Sequence, residues 1–231
     1  MKKIVVAALL AIAPVTAALG QNWLTTIAAT ENGHRIGNPQ AKTKLIEFVS
    51  YTCPHCGDFF REGDGAIKAA LVQPGKGSVE VRHVIRDVVD LTAAVLVNCG
   101  DRSKFWGNHD LFFSRQQKWM TTWELTLPAQ RRRWQSGPMP QRLQAVAGDL
   151  GFYEMMEGRG YTRAQLDRCL TDSTAIEALV ARAEAGADAY AVKLTPSFVV
   201  NGKLLPGVHT GPSCRKPSRL CKTGSGVVTA L

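Results

Sequence analysis

The tetrapeptide Cys53-Pro54-His55-Cys56 follows directly on the apolar run Leu45-Ile46-Glu47-Phe48-Val49, and that junction constrains the chain more than any other feature in it. A near-continuous apolar stretch from Lys44 to Ser50 is the pattern of a strand covered on both faces. From Cys53 to Val72 the composition is helical in spite of Gly57, Gly63 and Gly65, and Gln73-Pro74-Gly75 closes the run. Pro54 suits the first helical position, where a missing N–H leaves no bond unmade. Cys53 then becomes the N-cap, its sulfur facing the unpaired N–H groups of the first turn and the positive end of the helix dipole. A free thiol, with a pKa of about 8.5, is only slightly ionised near neutrality. The helix end, together with a partial or full charge on His55, favours the thiolate. Cys56 lies one turn further in and is expected to be the resolving thiol. Glu47 stands in the middle of the buried strand, where an unpaired carboxyl should have a raised pKa. There it can exchange a proton with Cys56, unless it reaches the surface or pairs with a lysine.

The rest of the chain is organised around this junction. Residues 21–43 mix a short apolar stretch, Trp23 to Ala28, with the turn residues Asn32, Gly33, Gly37, Asn38 and Pro39, and read as an edge strand and a loop. Ser78 to Val84 alternates Val79, Val81 and His83 with Glu80 and Arg82, the pattern of a second strand. Residues 91–188 are helix-forming with breaks, of which Gly137-Pro138-Met139-Pro140 is the sharpest. Trp106, Trp119, Trp123 and Trp134 fall in this region, spaced as helix-packing core. Ser197 to Val200, the turn Asn201-Gly202, and Lys203 to Leu205 read as a hairpin. A strand–helix–strand half and a hairpin half thus flank a helical insertion. The formal net charge is +9, but Lys2 and Lys3 carry two of those charges and Arg215, Lys216, Arg219 and Lys222 four, so residues 21–210 hold only +3. That is an ordinary surface charge, and no nucleic-acid partner is expected. The local cluster Arg131-Arg132-Arg133 reads as a solvated helix face before it reads as an acidic-partner site.

The segment KLIEFVSYTCPHC, residues 44–56, resembles the active-site segment of DsbA-type thiol:disulfide oxidoreductases of the thioredoxin superfamily. Those proteins carry a glutamate six residues before the first cysteine, as Glu47 stands to Cys53, and Cys-Pro-His-Cys is their characteristic choice. A second element, Leu194-Thr195-Pro196-Ser197-Phe198-Val199-Val200-Asn201-Gly202-Lys203, is similar to the family's hairpin and the cis-proline before it, which places Pro196 against the cysteine pair. The resemblance implies an α/β, thioredoxin-like fold with an inserted helical domain. The thioredoxin-like parts would be residues 21–90 and 189–210, with residues 91–188 inserted between them. It also implies that the backbone before Pro196 is left to pair with an extended substrate. Thr195 departs from the valine of the best-known oxidases, and threonine there is found in some isomerases. No N-terminal dimerisation domain is expected before the motif, and a monomer is expected.

Lys2 and Lys3, the uncharged run Ile4 to Leu19 and the small residues Ala18 and Gly20 read as a signal peptide over residues 1–20, cleaved before Gln21. A membrane anchor is the alternative, weakened by Pro14 and the run of alanines. The expected location is the periplasm, and six cysteines suit such an oxidising compartment. Cys99 and Cys169 are each near the end of a predicted helix and are expected to form a structural disulfide, two buried free thiols being the other possibility. After Thr210 the family would place an amphipathic helix. Instead residues 211–231 are polar, basic and rich in Pro, Gly and Ser. Codons for Gly-Pro-Ser-Cys-Arg-Lys-Pro-Ser-Arg-Leu, read one nucleotide earlier, can encode an amphipathic helix, so the tail is expected to be a frameshift product and Cys214 and Cys221 accidental. The expected function is an exported oxidase that introduces disulfides by exchange through Cys53 and Cys56. It would act on unfolded or reduced exported proteins and be re-oxidised by a redox partner such as a membrane oxidase. A reductase or isomerase on the same scaffold, and a redox-inert peptide-binding chaperone, are the alternatives. No cofactor is implied. A zinc site would need a second ligand pair, and Gly57 after Cys56 excludes attachment of a c-type haem.

Overall fold

The computed structural model describes residues 21–207. The expected signal segment, residues 211–231 with Cys214 and Cys221, and the frameshift reading all lie outside the described residues. A six-stranded sheet in the order β1-β2-β4-β3-β5-β6 organises the molecule. Its strands are β1 (Ile27–Ala29), β2 (His34–Gly37), β3 (Thr43–Val49), β4 (Gly77–His83), β5 (Ser197–Val200) and β6 (Lys203–Leu204). Only β3 and β4 run parallel; the other pairs are antiparallel. A parallel pair needs a crossover, and helix α1, residues 54–72, supplies it. The short β5–β6 hairpin turns through Asn201 (φ 49°) and Gly202 (φ 83°), the positive-φ pair that Asn-Gly adopts most readily.

Helix α1 is not uniform. Its α-helical pieces, Pro54–Phe59 and Gly65–Ile67, alternate with the wider π-helical turns Phe60–Asp64 and Lys68–Val72. A Cβ at Gly63 would lie 2.8 Å from the Phe59 ring, so the glycine lets that ring fold back along the helix. Phe59, Ile67 and Leu71 are buried in the core with Leu45, Val49, Val79 and Val81 of the central strands, and Phe59 packs on Phe198 of β5 with centroids 4.6 Å apart.

Among the described residues eight further α-helices follow: α2 (Val88–Val97), α3 (Phe105–Ser114), α4 (Gln116–Glu124), α5 (Pro128–Gln135), α6 (Met139–Asp149), α7 (Phe152–Glu157), α8 (Arg163–Thr171) and α9 (Ser173–Asp188). The helical region therefore starts three residues before the expected Leu91. Asp87 accepts from the N–H groups of Val89 and Asp90, a cap that sets the helix start earlier than the apolar pattern does. In the Gly137-Pro138-Met139-Pro140 break, Pro138 caps α6 and Pro140 falls in its first turn, where no N–H is required. Trp106, Trp119 and Trp134 are buried and Trp123 packs against the same core. Arg131 donates to the carbonyls of Trp123 and Glu124, and Arg133 pairs with Asp149. Two of the three clustered arginines are thus occupied within the helical region. Residues 21–43 hold more order than the expected strand and loop: a 3-10 turn, Trp23–Thr25, precedes a hairpin of two strands, β1 and β2.

Cys99, just after α2, is bonded to Cys169 of α8, with S–S 2.02 Å. No described helix is long and apolar enough to cross a membrane.

Candidate active site

Cys53 and Cys56 are free thiols at the junction of β3 and α1, 3% and 0% exposed. Cys53 is the N-cap of α1, with extended φ −92° and ψ 114°, and Pro54 begins the helix. Across the site, the bond between Thr195 and Pro196 is cis, and the Cys53 thiol donates to the Thr195 carbonyl at 3.1 Å. Two segments 142 residues apart thus meet at one sulfur.

The Cys53 thiol is lowered to about 5. The hydrogen bond from the Cys56 thiol is the largest cause, opposed by burial. The Thr195 hydroxyl and the backbone N–H groups of Cys56 and His55 follow. The helix mouth therefore contributes, but less than the side chains of Cys56 and Thr195, and the Cys53 side chain makes no capping hydrogen bond. His55 acts on the sulfur through its backbone N–H; its ring Nδ1 lies 3.7 Å from Asp58 Oδ2. Cys56 is driven the opposite way. Burial, then the neighbouring Cys53, hold its thiol well above the usual value. The pair is thus split into one ready anion and one firmly protonated thiol.

Glu47 is 3% exposed, at the centre of β3, facing Val81 of β4 and Phe198 of β5 in register. Its Oε1 has no hydrogen-bond partner in the protein. Burial and then Asp64 raise its pKa to about 8, while Lys68 opposes them. The carboxyl neither escapes to the surface nor pairs directly with a lysine. Lys68 instead contacts Asp64 at 2.8 Å and Asp110 at 3.4 Å, and its ammonium stands over the Trp106 ring. Among the described residues, no group of His, Cys, Asp or Glu side chains is placed to hold a metal.

Sequence reading misses the anchor behind the cysteine loop. Asp90 of α2 accepts the Tyr51 N–H at 2.8 Å, the Ser50 hydroxyl at 2.5 Å and the Arg86 N–H at 3.1 Å. Asp87 accepts the Thr52 hydroxyl at 2.9 Å. Tyr51 is also held at its far end, its hydroxyl 2.9 Å from His109 Nδ1 of α3. Burial pushes the Asp90 carboxyl up to about 7. One signal was available: an aspartate inside the apolar run Val88-Val89-Asp90-Leu91 is as anomalous as Glu47 inside β3.

A family model described as Thioredoxin matches residues 29–214. A protein of Rickettsia bellii, provisionally named a protein-disulfide oxidoreductase, is 28% identical over 183 residues, 79% of this chain and 62% of its own length. A Rickettsia typhi protein of the same provisional name is 28% identical over 77% of this chain and 57% of its own. The chain spans less than two thirds of the length of these curated relatives. A crystal structure named as protein-disulfide isomerase from Novosphingobium aromaticivorans superposes with TM-score 0.75 at 43% identity, covering 80% of this chain and 94% of that one. Wolbachia pipientis alpha-DsbA1 shares the fold, with TM-score 0.56 at 22% identity over 76% of each chain.

Proposed function

The chain belongs to the thioredoxin family, and from that premise we propose that it is a DsbA-type protein thiol:disulfide oxidoreductase that works as an exported oxidase. In its disulfide form a substrate thiolate attacks the Cys53 sulfur. The Cys53–Cys56 bond breaks, a mixed disulfide forms at Cys53, and the departing Cys56 sulfur takes up a proton. A second substrate thiolate then attacks the substrate sulfur of that mixed disulfide and expels Cys53 as its thiolate. The substrate leaves with a new disulfide, and the enzyme is left as a dithiol to be re-oxidised by a partner, for which a membrane oxidase is the expectation.

The observation that carries this reading is the opposed ionisation of the two thiols, Cys53 at about 5 and Cys56 well above its ordinary value. A stabilised Cys53 thiolate leaves readily and makes the disulfide oxidising. Supporting export are the charged and apolar pattern of residues 1–20 and the Cys99–Cys169 disulfide, a bond that persists in oxidising compartments. The substrates would be reduced exported proteins, met in the periplasm.

The test is equilibration of the Cys53–Cys56 pair with glutathione, together with oxidation of a reduced, unfolded protein. An oxidase should reach half-reduction in a strongly oxidising buffer, and Cys53→Ser should abolish turnover. Ionisation of Cys53 near 9 with no thiol exchange would overturn the reading. A second reading, isomerase or reductase, draws support from the similarity to the Novosphingobium structure named as a protein-disulfide isomerase and from Thr195 in place of valine. A much more reducing potential would favour it.

A further inference from the structure

Gln116, the first residue of α4, is only 2% exposed. Its side-chain amide spends both hydrogens on the cysteine loop, donating to the Tyr51 carbonyl and to the Cys53 carbonyl, each at 2.8 Å. The Cys53 carbonyl is also the acceptor that closes the first turn of α1, receiving the N–H groups of Cys56 at 3.1 Å and Gly57 at 3.3 Å. The amide also lies close against that turn at Gly57. A Cβ built at Gly57 would sit 1.7 Å from Gln116 Oε1 and 2.7 Å from its Cδ. The residue after Cys56 is thus bare where this glutamine rests. The glutamine is itself seated by its own helix, since Trp119 is buried three residues on and donates to the Phe112 carbonyl at 3.1 Å.

We propose that Gln116 is a positioning residue for the Cys53 thiolate, through which the helical insertion sets the nucleophile's acidity. The groups facing that sulfur are the Cys56 thiol, the Thr195 hydroxyl and carbonyl, and the N–H groups of His55 and Cys56. Three of these belong to the turn that closes on the Cys53 carbonyl. Fixing that carbonyl from outside the helix fixes the angle at which those donors meet the sulfur. The amide hydrogens also offset the partial negative charge of two carbonyl oxygens close to a developing anion. Both effects act on the thiolate and neither acts on the disulfide, so the glutamine should matter to acidity and potential beyond any effect on stability. The inference rests on the oxidoreductase reading.

The test is titration of Cys53 in the reduced protein by absorbance at about 240 nm, with glutathione equilibration and thermal unfolding alongside. In Gln116→Ala, losing both hydrogen bonds to the cysteine loop should raise the Cys53 pKa by about one unit, a tenfold change in its ionisation constant, and move the glutathione equilibrium toward the disulfide. Gly57→Ala, whose methyl displaces the amide, should give the same shift even where Gln116→Ala folds poorly. The double variant should add no further shift. Leu166→Val, a core loss in α8, should lower the melting temperature and leave the titration in place. An unchanged Cys53 titration in both single variants overturns the inference, as does an equal shift in Leu166→Val. Titration of the unsubstituted chain near 9 would overturn the inference and the functional reading together.

Discussion

Thr195 meets Cys53 with two atoms that favour opposite states: its carbonyl accepts the thiol proton, and its hydroxyl stabilises the anion. Thr195→Val keeps the first and removes the second. The Cys53 pKa should therefore rise by about half to one unit, read by titration at about 240 nm, and no shift would mean that the hydroxyl is not used. Glu47 presents the reverse problem, a carboxyl kept protonated by its surroundings. Its folded pKa is about 8 against an ordinary 4.5. Across that window the native state holds a proton that the unfolded chain has released, so stability falls as pH rises from 4.5 to 8 and the loss is complete above 8. Glu47→Leu removes the titration from a buried position paired in register with Val81 and Phe198. It should be more stable than the unsubstituted protein at pH 9 by on the order of 2–3 kcal/mol, and the gain should shrink toward pH 5. Urea unfolding at the two pH values checks this; an equal gain at both would remove ionisation as the cause.

Helix α2 carries the loop before Cys53 on its first turn. Asp90→Ala would leave the buried Tyr51 N–H and Ser50 hydroxyl without their acceptor, a loss of about 2–4 kcal/mol, measurable as a lower urea midpoint with an unchanged slope. At its other end α2 is tied to α8 by the Cys99–Cys169 bond, whose partners are 70 residues apart. Opening a loop of that length by Cys99→Ala/Cys169→Ala should lower stability by at most about 4 kcal/mol, with the Cys53 titration unchanged. The elements that local pattern specifies were legible in the sequence. The strand–cysteine–helix junction, the Asn201-Gly202 hairpin and the tryptophan-bearing helices each follow from residues adjacent along the chain. What the sequence concealed depends on distant partners. β2 falls in a stretch rich in turn residues and pairs on one side with β4, His34 facing Val81 and Ile36 facing Val79. Asp90 does its work on residues about forty positions earlier, and no periodicity records that. The weight of Thr195 in the acidity of Cys53, ahead of the helix N–H groups, likewise appears only when the hairpin half is brought against the helix.

Between the sheet and the helical region lies a chain of buried histidines. His34 of β2 donates to Asn98 Oδ1 at 2.8 Å, and Asn98 Nδ2 donates to His83 of β4 at 3.0 Å. His34 stacks on Phe105 of α3, and His109 of the same helix also stacks on Phe105. Burial is the leading cause in each case: it lowers His34, takes His83 to about 3 and holds His109 well below 6.5. The folded protein keeps all three neutral where the unfolded chain would protonate them, so each withdraws stability as pH falls below about 6.5. Glu47 and Asp90 act in the opposite sense, since both retain protons in the folded state that the unfolded chain has lost, down to their ordinary values of 4.5 and 3.8. Between about pH 6.5 and 4.5 the two sets largely offset one another. Below about 4 the unfolded carboxyls are protonated as well, the offset ends, and the histidines act unopposed. The disulfide form, in which neither site cysteine titrates, should therefore show its greatest stability on the acid side of neutrality and a steep loss below about pH 4. His83→Gln deletes one of the protons taken up on unfolding. Its acid limb should be shallower by about 1.4 kcal/mol per pH unit, measured by urea unfolding from pH 3 to 8. An acid limb identical to that of the unsubstituted protein would mean that the buried histidines do not control it.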